Sequence, residues 1–327
     1  MTRSHASLSV LLAALLISLG ACLPESSSRR EEPVVLIADP EPEPDPEPEP
    51  DPDPEPEPGE PARLRLATWN IAFLDLPGAS DVSSRDESDY ELLGMYAERL
   101  DADVVVVQEV AGVNSVHMVF PRPEWSVECE DRRSSQNVCV ARRVASGWSV
   151  ELEPDYVDLA VGNPRLRRGL DFVVSRPGYE PIRVLGVHMK SGCFTGDRAE
   201  SCRTFFEQIV ELEQWIDARA TEEVPFAVLG DFNRVMTADD EAWLDLDDAQ
   251  PARADLTRSI PQGRTTPCWP RRYTEFIDHI VLDVGAAGWL AASDQQPYDE
   301  TDHDTWELRL SDHCPVWADL DVPTAAR

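Results

Sequence analysis

Six stretches of this sequence end an apolar run in side chains that can hold a cation or carry a proton. They are Trp69-Asn70, Gln108-Glu109, Val187-His188, Gly230-Asp231-Phe232-Asn233, Ile277-Asp278 and Ser311-Asp312-His313. Oxygen donors suit a hard divalent cation, and carboxylate and imidazole groups serve as general acids and bases. One such residue at a strand end is ordinarily structural. Six together point to a site at one edge of a sheet, where a rigid scaffold presents reactive groups.

The elements that position these groups follow from periodicity. Residues 64–71 alternate like a strand, 103–107 form a buried strand after a helix over 90–100, and 184–188 and 226–230 are two further apolar strands. A helix over 203–219 carries Phe206, Ile209, Val210, Leu212, Trp215 and Ile216 near helical spacing, and 276–282 and 315–320 complete the set. Many strands with a few interspersed helices give an α/β sandwich. Strand alternation puts Asp231 and Asn233 on one side, and turns His279 away from its neighbour Asp278 into a structural position. His117 and His303 lack motif context and read as surface residues, and Asp302 and Asp304 as solvated loop charge.

The order of these stretches resembles the endonuclease/exonuclease/phosphatase superfamily, which includes pancreatic-type deoxyribonucleases, abasic-site endonucleases, inositol polyphosphate phosphatases and bacterial sphingomyelinases. The resembling segments are Thr68-Trp69-Asn70-Ile71, Val107-Gln108-Glu109-Val110, Gly186-Val187-His188-Met189-Lys190-Ser191, Leu229-Gly230-Asp231-Phe232-Asn233, Phe276-Ile277-Asp278-His279-Ile280 and Ser311-Asp312-His313-Cys314-Pro315-Val316. They run in family order through a catalytic domain over 63–322, followed by a short tail over 323–327. The resemblance implies a four-layer αββα sandwich of two mixed sheets flanked by helices.

It also implies roles. Glu109 is the main Mg²⁺ ligand, with Asn70 and Asp312 completing an oxygen shell; Mn²⁺ and Ca²⁺ are alternative ions. Asp231 positions and deprotonates the attacking water, steered by Asn233. His313, paired with Asp278, lies against the scissile phosphate, and His188 gives a second hydrogen bond to the phosphoryl oxygens. Arg168 clamps a phosphate, and Thr265 sits near the metal or phosphate. The acidic residue that orients the first histidine in the deoxyribonucleases has no counterpart that can be placed here.

Charge bears on the substrate. The formal net charge is −33, and Lys190 is the one lysine. Residues 31–60 hold 13 acids and no base, so about −20 of that charge lies elsewhere. A field of this sign repels polyphosphate and offers no counterion-release drive, which excludes a tight, sequence-reading DNA binder. An enzyme that meets phosphate only at a metal-bearing cleft remains.

The N-terminus reads as an export signal. Arg3 and His5 precede an apolar run from Leu8 to Leu19, too short to span a bilayer. Leu19-Gly20-Ala21-Cys22 resembles a bacterial lipobox, giving a signal peptide over 1–21 and a lipidated Cys22. Residues 22–62 form an acidic, Pro-rich stalk, expected to be disordered. At about 3.1 Å per residue, its acid–proline run of about twenty residues reaches on the order of 60 Å. Outside the cytoplasm the six remaining cysteines are read as disulfides. Cys129 with Cys139 and Cys193 with Cys202 are plausible local pairs, and Cys268 and Cys314 are left over without an assigned pairing.

The expected protein is therefore a monomeric, Mg²⁺-dependent phosphoesterase at the bacterial cell envelope, held there by a lipid anchor or else secreted. Its first expected activity is a nuclease-like phosphodiesterase acting by direct water attack on extracellular nucleic acid. The alternatives are a phosphatase or sphingomyelinase-like phospholipase, and a catalytically silent binding module. Trp269 and Trp289 are the hints of a lipid-facing loop.

Overall fold

The computed structural model describes residues 59–79, 85–132, 134–194, 200–222, 224–261, 268, 275–302 and 309–325. Cys22 and the signal peptide, the stalk up to residue 58, Thr265, Trp269, His303 and Asp304 lie outside the described residues.

Within them, twelve strands run in chain order as β1 (Ala62–Leu74), β2 (Val104–Val110), β3 (Trp125–Cys129), β4 (Asn137–Arg143), β5 (Ser149–Leu152), β6 (Leu170–Ser175), β7 (Ile182–His188), β8 (Phe226–Asp231), β9 (Leu256–Arg258), β10 (Asp278–Asp283), β11 (Leu290–Gln295) and β12 (Val316–Val322). They form two six-stranded sheets, ordered β11-β12-β1-β2-β4-β3 and β5-β6-β7-β8-β10-β9. Each sheet has one parallel pair, β1 with β2 and β7 with β8, among antiparallel neighbours.

The sheets pack face to face. Leu64, Leu66, Val104 and Val106 of the first meet Phe172, Val184, Leu229 and Ile280 of the second in one dry core. Helix α1 (Glu87–Leu100) covers the outer face of the first sheet with Tyr90, Leu93, Tyr96, Ala97 and Leu100, an i, i+3, i+4 stripe. Its start is fixed by a capping box: Asp86 accepts from the Ser88 and Asp89 amides, and Asp89 accepts from the Asp86 amide. A short helix α2 (Val113–Val116) follows β2. Helices α3 (Glu200–Glu222) and α4 (Glu241–Leu246) cover the second sheet through Phe205, Ile209, Leu212, Trp215 and Trp243. Each such buried side chain is worth roughly 1.5–3 kcal/mol, so packing outweighs intrinsic helix preference here. A last turn of helix, α5 (Val284–Ala287), follows β10. The layering is αββα, as the resemblance implies.

Register decides what the edge presents. In the second sheet His188 pairs with Asp231 across β7 and β8, and Asp231 pairs with Asp278 across β8 and β10. In the first sheet Asn70 pairs with Gln108, and the ladder slips between Asn70 and Leu74. Glu109 takes φ 58° at the matching irregularity of β2. The three disulfides join Cys129 to Cys139, Cys193 to Cys202 and Cys268 to Cys314. The last ties the residue after His313 to a segment that the sequence left unassigned.

Candidate active site

The strand ends converge on one cavity of about 500 Å³, lined among others by Glu109, Asp231, Asn233, Asp278, Asp312 and His313. Asp231 sits on its floor, 1% exposed. Asn70 Nδ2 and Asn233 Nδ2 donate to Asp231 Oδ2 at 2.9 and 3.0 Å, and the Asn233 amide donates to Oδ1 at 2.8 Å. Asn233 reaches this position in the left-handed region, φ 53°, a conformation that costs a non-glycine residue on the order of 1 kcal/mol and is typical of functional sites. Burial first, then Asp278, raises the Asp231 carboxyl above the usual range, opposed by His313 and its amide donors.

His313 stands beside this carboxylate. Its Nδ1 meets Asp278 Oδ2 at 2.7 Å, while Nε2 lies 3.9 Å from both Asp231 Oδ2 and Asp312 Oδ1. Burial works against its charge, yet Asp278 and Asp231 hold it well above the ordinary histidine range. His188 differs. Burial, Arg167 and His313 hold it well below that range, so it is neutral. Its buried Nδ1 has no partner among the described residues, in line with the acidic partner missing from the sequence. Nε2, 3.4 Å from Asp231 Oδ2 and 3.7 Å from Glu109 Oε1, then carries the proton.

Asn70 sits between two of these carboxylates. Its Oδ1 is taken by the Ala72 amide at 3.0 Å, and its Nδ2 faces both Asp231 and, at 3.4 Å, Glu109. It therefore braces the two carboxylates. Glu109 and Asp312 do open onto the cavity, with 16% and 39% of their side chains exposed. Several carboxylates facing one partly buried space, with His313 the one cationic group described among them, are the donor set of a hard divalent ion with water in its shell. Asp231, Asp278 and His313 also lie within 4.8 Å of one another, but the short Asp278–His313 bond occupies one nitrogen of the ring.

Arg168 is not in the site. Its guanidinium donates to Asp131 O at 2.7 Å and pairs with Asp155 at 3.3 Å, because the backbone turns it outward before β6. Its neighbour Arg167 turns inward and, 8% exposed, donates to the carbonyls of His188 and Met189. Sequence reading also missed three braces of the loop that bears Asp312 and His313. Arg85 donates to the carbonyls of Ile71 and Leu310, Ser311 Oγ donates to Asn70 O, and Tyr298 donates to His313 O. Only Ser311 had a signal, its place beside Asp312.

His279 is structural, as its alternation indicated. It packs edge-on against Phe232 with centroids 5.5 Å apart, and its Nε2 meets Arg234 O at 3.0 Å. Burial pushes it down to about 4. The unfolded chain takes up that proton near pH 6.5, so the stabilisation is full above 6.5 and is lost as pH falls toward about 4. A shift from about 6.5 to about 4 corresponds to ~3 kcal/mol. In His279→Gln, which keeps a donor for Arg234 O, that part of the slope of unfolding free energy between pH 7 and pH 4 is expected to vanish. An unchanged slope would place the titration elsewhere.

Two sheets pack face to face and set paired carboxylates and imidazoles at one edge, groups that can hold a cation and move a proton. Comparison agrees. Residues 67–313 match the Endonuclease/Exonuclease/phosphatase family, and the chain belongs to it. It is thus a metal-dependent phosphoester hydrolase. The 3′ phosphatase NExo from Neisseria, solved with a product DNA hairpin, is similar in fold at 18% identity and TM-score 0.53, covering 79% of this chain and 99% of that one. The human Nocturnin catalytic domain with bound sulfate is similar at 14% identity and TM-score 0.54, covering 80% and 94%. ANGEL2, a 2′,3′-cyclic phosphatase solved with adenosine-2′,3′-vanadate, is similar at 16% identity and TM-score 0.54, covering 81% and 96%. Comparison with curated proteins finds no match.

Proposed function

We propose that this chain is a Mg²⁺-dependent phosphodiesterase of nuclease type, exported and anchored at the bacterial envelope through Cys22, acting on nucleic acid outside the cytoplasm. The observation that carries the catalytic part is the Asp231 carboxylate, buried, held by three amide hydrogen bonds and flanked by His188 at 3.4 Å and His313 at 3.9 Å. Glu109 and Asp312 would hold the Mg²⁺, which when bound would neutralise charge on the phosphate. Asp231 orients a water for in-line attack and takes its proton. Asn70 and Asn233 keep its lone pairs directed while it does so. Protonated His313, fixed in tautomer by Asp278, donates to a phosphoryl oxygen, and neutral His188 donates a second hydrogen bond through Nε2.

The lipid reading loses support where its hint is described: Trp289 is partly buried and packs on the core between the sheets. Supercoiled plasmid, incubated with protein from an oxidising compartment, tests the nuclease reading. Nicking is expected with Mg²⁺, none with EDTA, and none from Asp231→Ala. Folded, metal-binding protein that leaves plasmid intact would shift the activity to small or lipid phosphoesters. Retention of wild-type protein in the detergent-soluble membrane fraction, lost in Cys22→Ser, tests the anchor.

A further inference from the structure

Phe194 is a large apolar side chain left 47% exposed on the wall of the catalytic cavity, yet its backbone is held by a neighbouring disulfide and by hydrogen bonds. The preceding Cys193 is bonded to Cys202 on α3. Arg234, itself 3% exposed and paired with Asp240 at 2.8 Å, donates to Cys193 O at 3.1 Å. The Val235 amide, two residues beyond Asn233, donates to Phe194 O at 3.2 Å. None of this brings the ring into a core. A second phenylalanine on the same wall, Phe73, is held at φ 57°, a left-handed conformation unusual for a bulky residue. Strained or stapled backbone that keeps aromatic rings at a reaction cavity serves a ligand, since packing gains nothing from it.

The rest of the wall narrows the ligand. Glu109, Glu275, Asp278 and Asp312 line it, and no lysine or arginine does among the described residues. Further phosphates near the scissile one would meet carboxylates, so recognition must come from an uncharged part of the substrate. The flat rings of Phe73 and Phe194, with Glu275 and Gln295 as acceptors, suit a planar heterocycle bearing amino groups better than an acyl chain. We infer that Phe194 is the stacking platform for one unpaired nucleobase beside the scissile phosphodiester, so that the enzyme selects single-stranded or terminal nucleotides over duplex. This deepens the phosphodiesterase reading and rests on it for the position of the phosphate.

The test compares wild type, Phe194→Ala and Phe194→Trp on two dinucleotides, one with both bases and one whose flanking base is replaced by a base-free sugar. Phe194→Ala is expected to lower kcat/KM about tenfold on the first and leave the second unchanged, the lower end of base–aromatic stacking, and Phe194→Trp to restore it. Equal loss on both substrates, or no loss on either, overturns the inference. So does a loss confined to vesicles carrying a choline phosphodiester lipid. A 2-aminopurine dinucleotide bound to the Asp231→Ala protein reads stacking by fluorescence quenching without turnover. Quenching that Phe194→Ala abolishes supports the platform even if no diester is cleaved, and quenching indifferent to Phe194 rejects it while leaving the phosphodiesterase reading intact.

Discussion

Asp231→Ala is expected to lower kcat by about 10³-fold or more while the melting temperature stays within a few degrees of wild type. The rate falls because, among the described residues, the other carboxylates nearest to Asp231 are paired elsewhere or, as Glu109 and Asp312, are the proposed ligands of the ion. Asp278 is committed to His313 at 2.7 Å, and Asn70 holds Glu109 to the other side at 3.4 Å. Stability is spared because Asp231 is a poor structural residue. Its carboxyl is raised by burial and by Asp278, so the fold bears a cost for keeping it charged that alanine removes. Against that gain stand the amides of Asn70 and Asn233, which lose an acceptor at a position that lines the cavity, where water can replace it. KM should change little, since the interaction is made with the water and not with the substrate. Steady-state kinetics on a small diester and a thermal melt read both halves. A kcat within tenfold of wild type would pass the proton-accepting role to another group.

How far the sequence reaches can be judged at particular residues. The strands that carry Asn70, Glu109, His188, Asp231 and Asp278 are continuous apolar runs, and buried strands show themselves that way. The αββα frame followed from a resemblance carried by those same runs. What stayed hidden was made by contacts between distant segments. The β3–β4 hairpin has no counterpart in the strands that periodicity picks out, and its Cys129 and Cys139 are direct cross-strand partners. The strands around them are short, and Arg142 and Arg143 mask the end of the second. Strand β1 seemed to stop at Ile71 but runs to Leu74, with Ala72 and Phe73 in left-handed conformations that no local propensity signals. Cys268 and Cys314, 46 residues apart, pair through the fold alone. The arginines were the hardest. Arg167 and Arg168 are adjacent and chemically identical, and only the turn of the backbone sends one inward under His188 and the other out to Asp155.

Gly230→Ala is expected to do what Asp231→Ala does not, and unfold the site. Gly230 pairs with Val187 in the parallel ladder between β7 and β8, one residue before His188 and Asp231 meet. At φ 156° it lies outside the range that residues with a Cβ favour, and an added Cβ would stand 1.9 Å from Val187 O. That obstacle is backbone in the middle of a sheet, with no side-chain tip to swing away, so relief requires the two strands to part. A cost above ~4 kcal/mol belongs to this kind of clash, which lowers the melting temperature by about 10 °C or more for a domain of this size. Activity falls with it, because parting the strands opens the 3.4 Å approach of His188 to Asp231. The contrast separates two reasons for one motif. In Gly230-Asp231-Phe232-Asn233 the acid and the amide are there for chemistry, the phenylalanine for the core, and the glycine so that two strand ends can come close enough for the chemistry to occur. A Gly230→Ala protein that melts within about 2 °C of wild type would show that the strands can yield, and that the glycine is not what sets their approach.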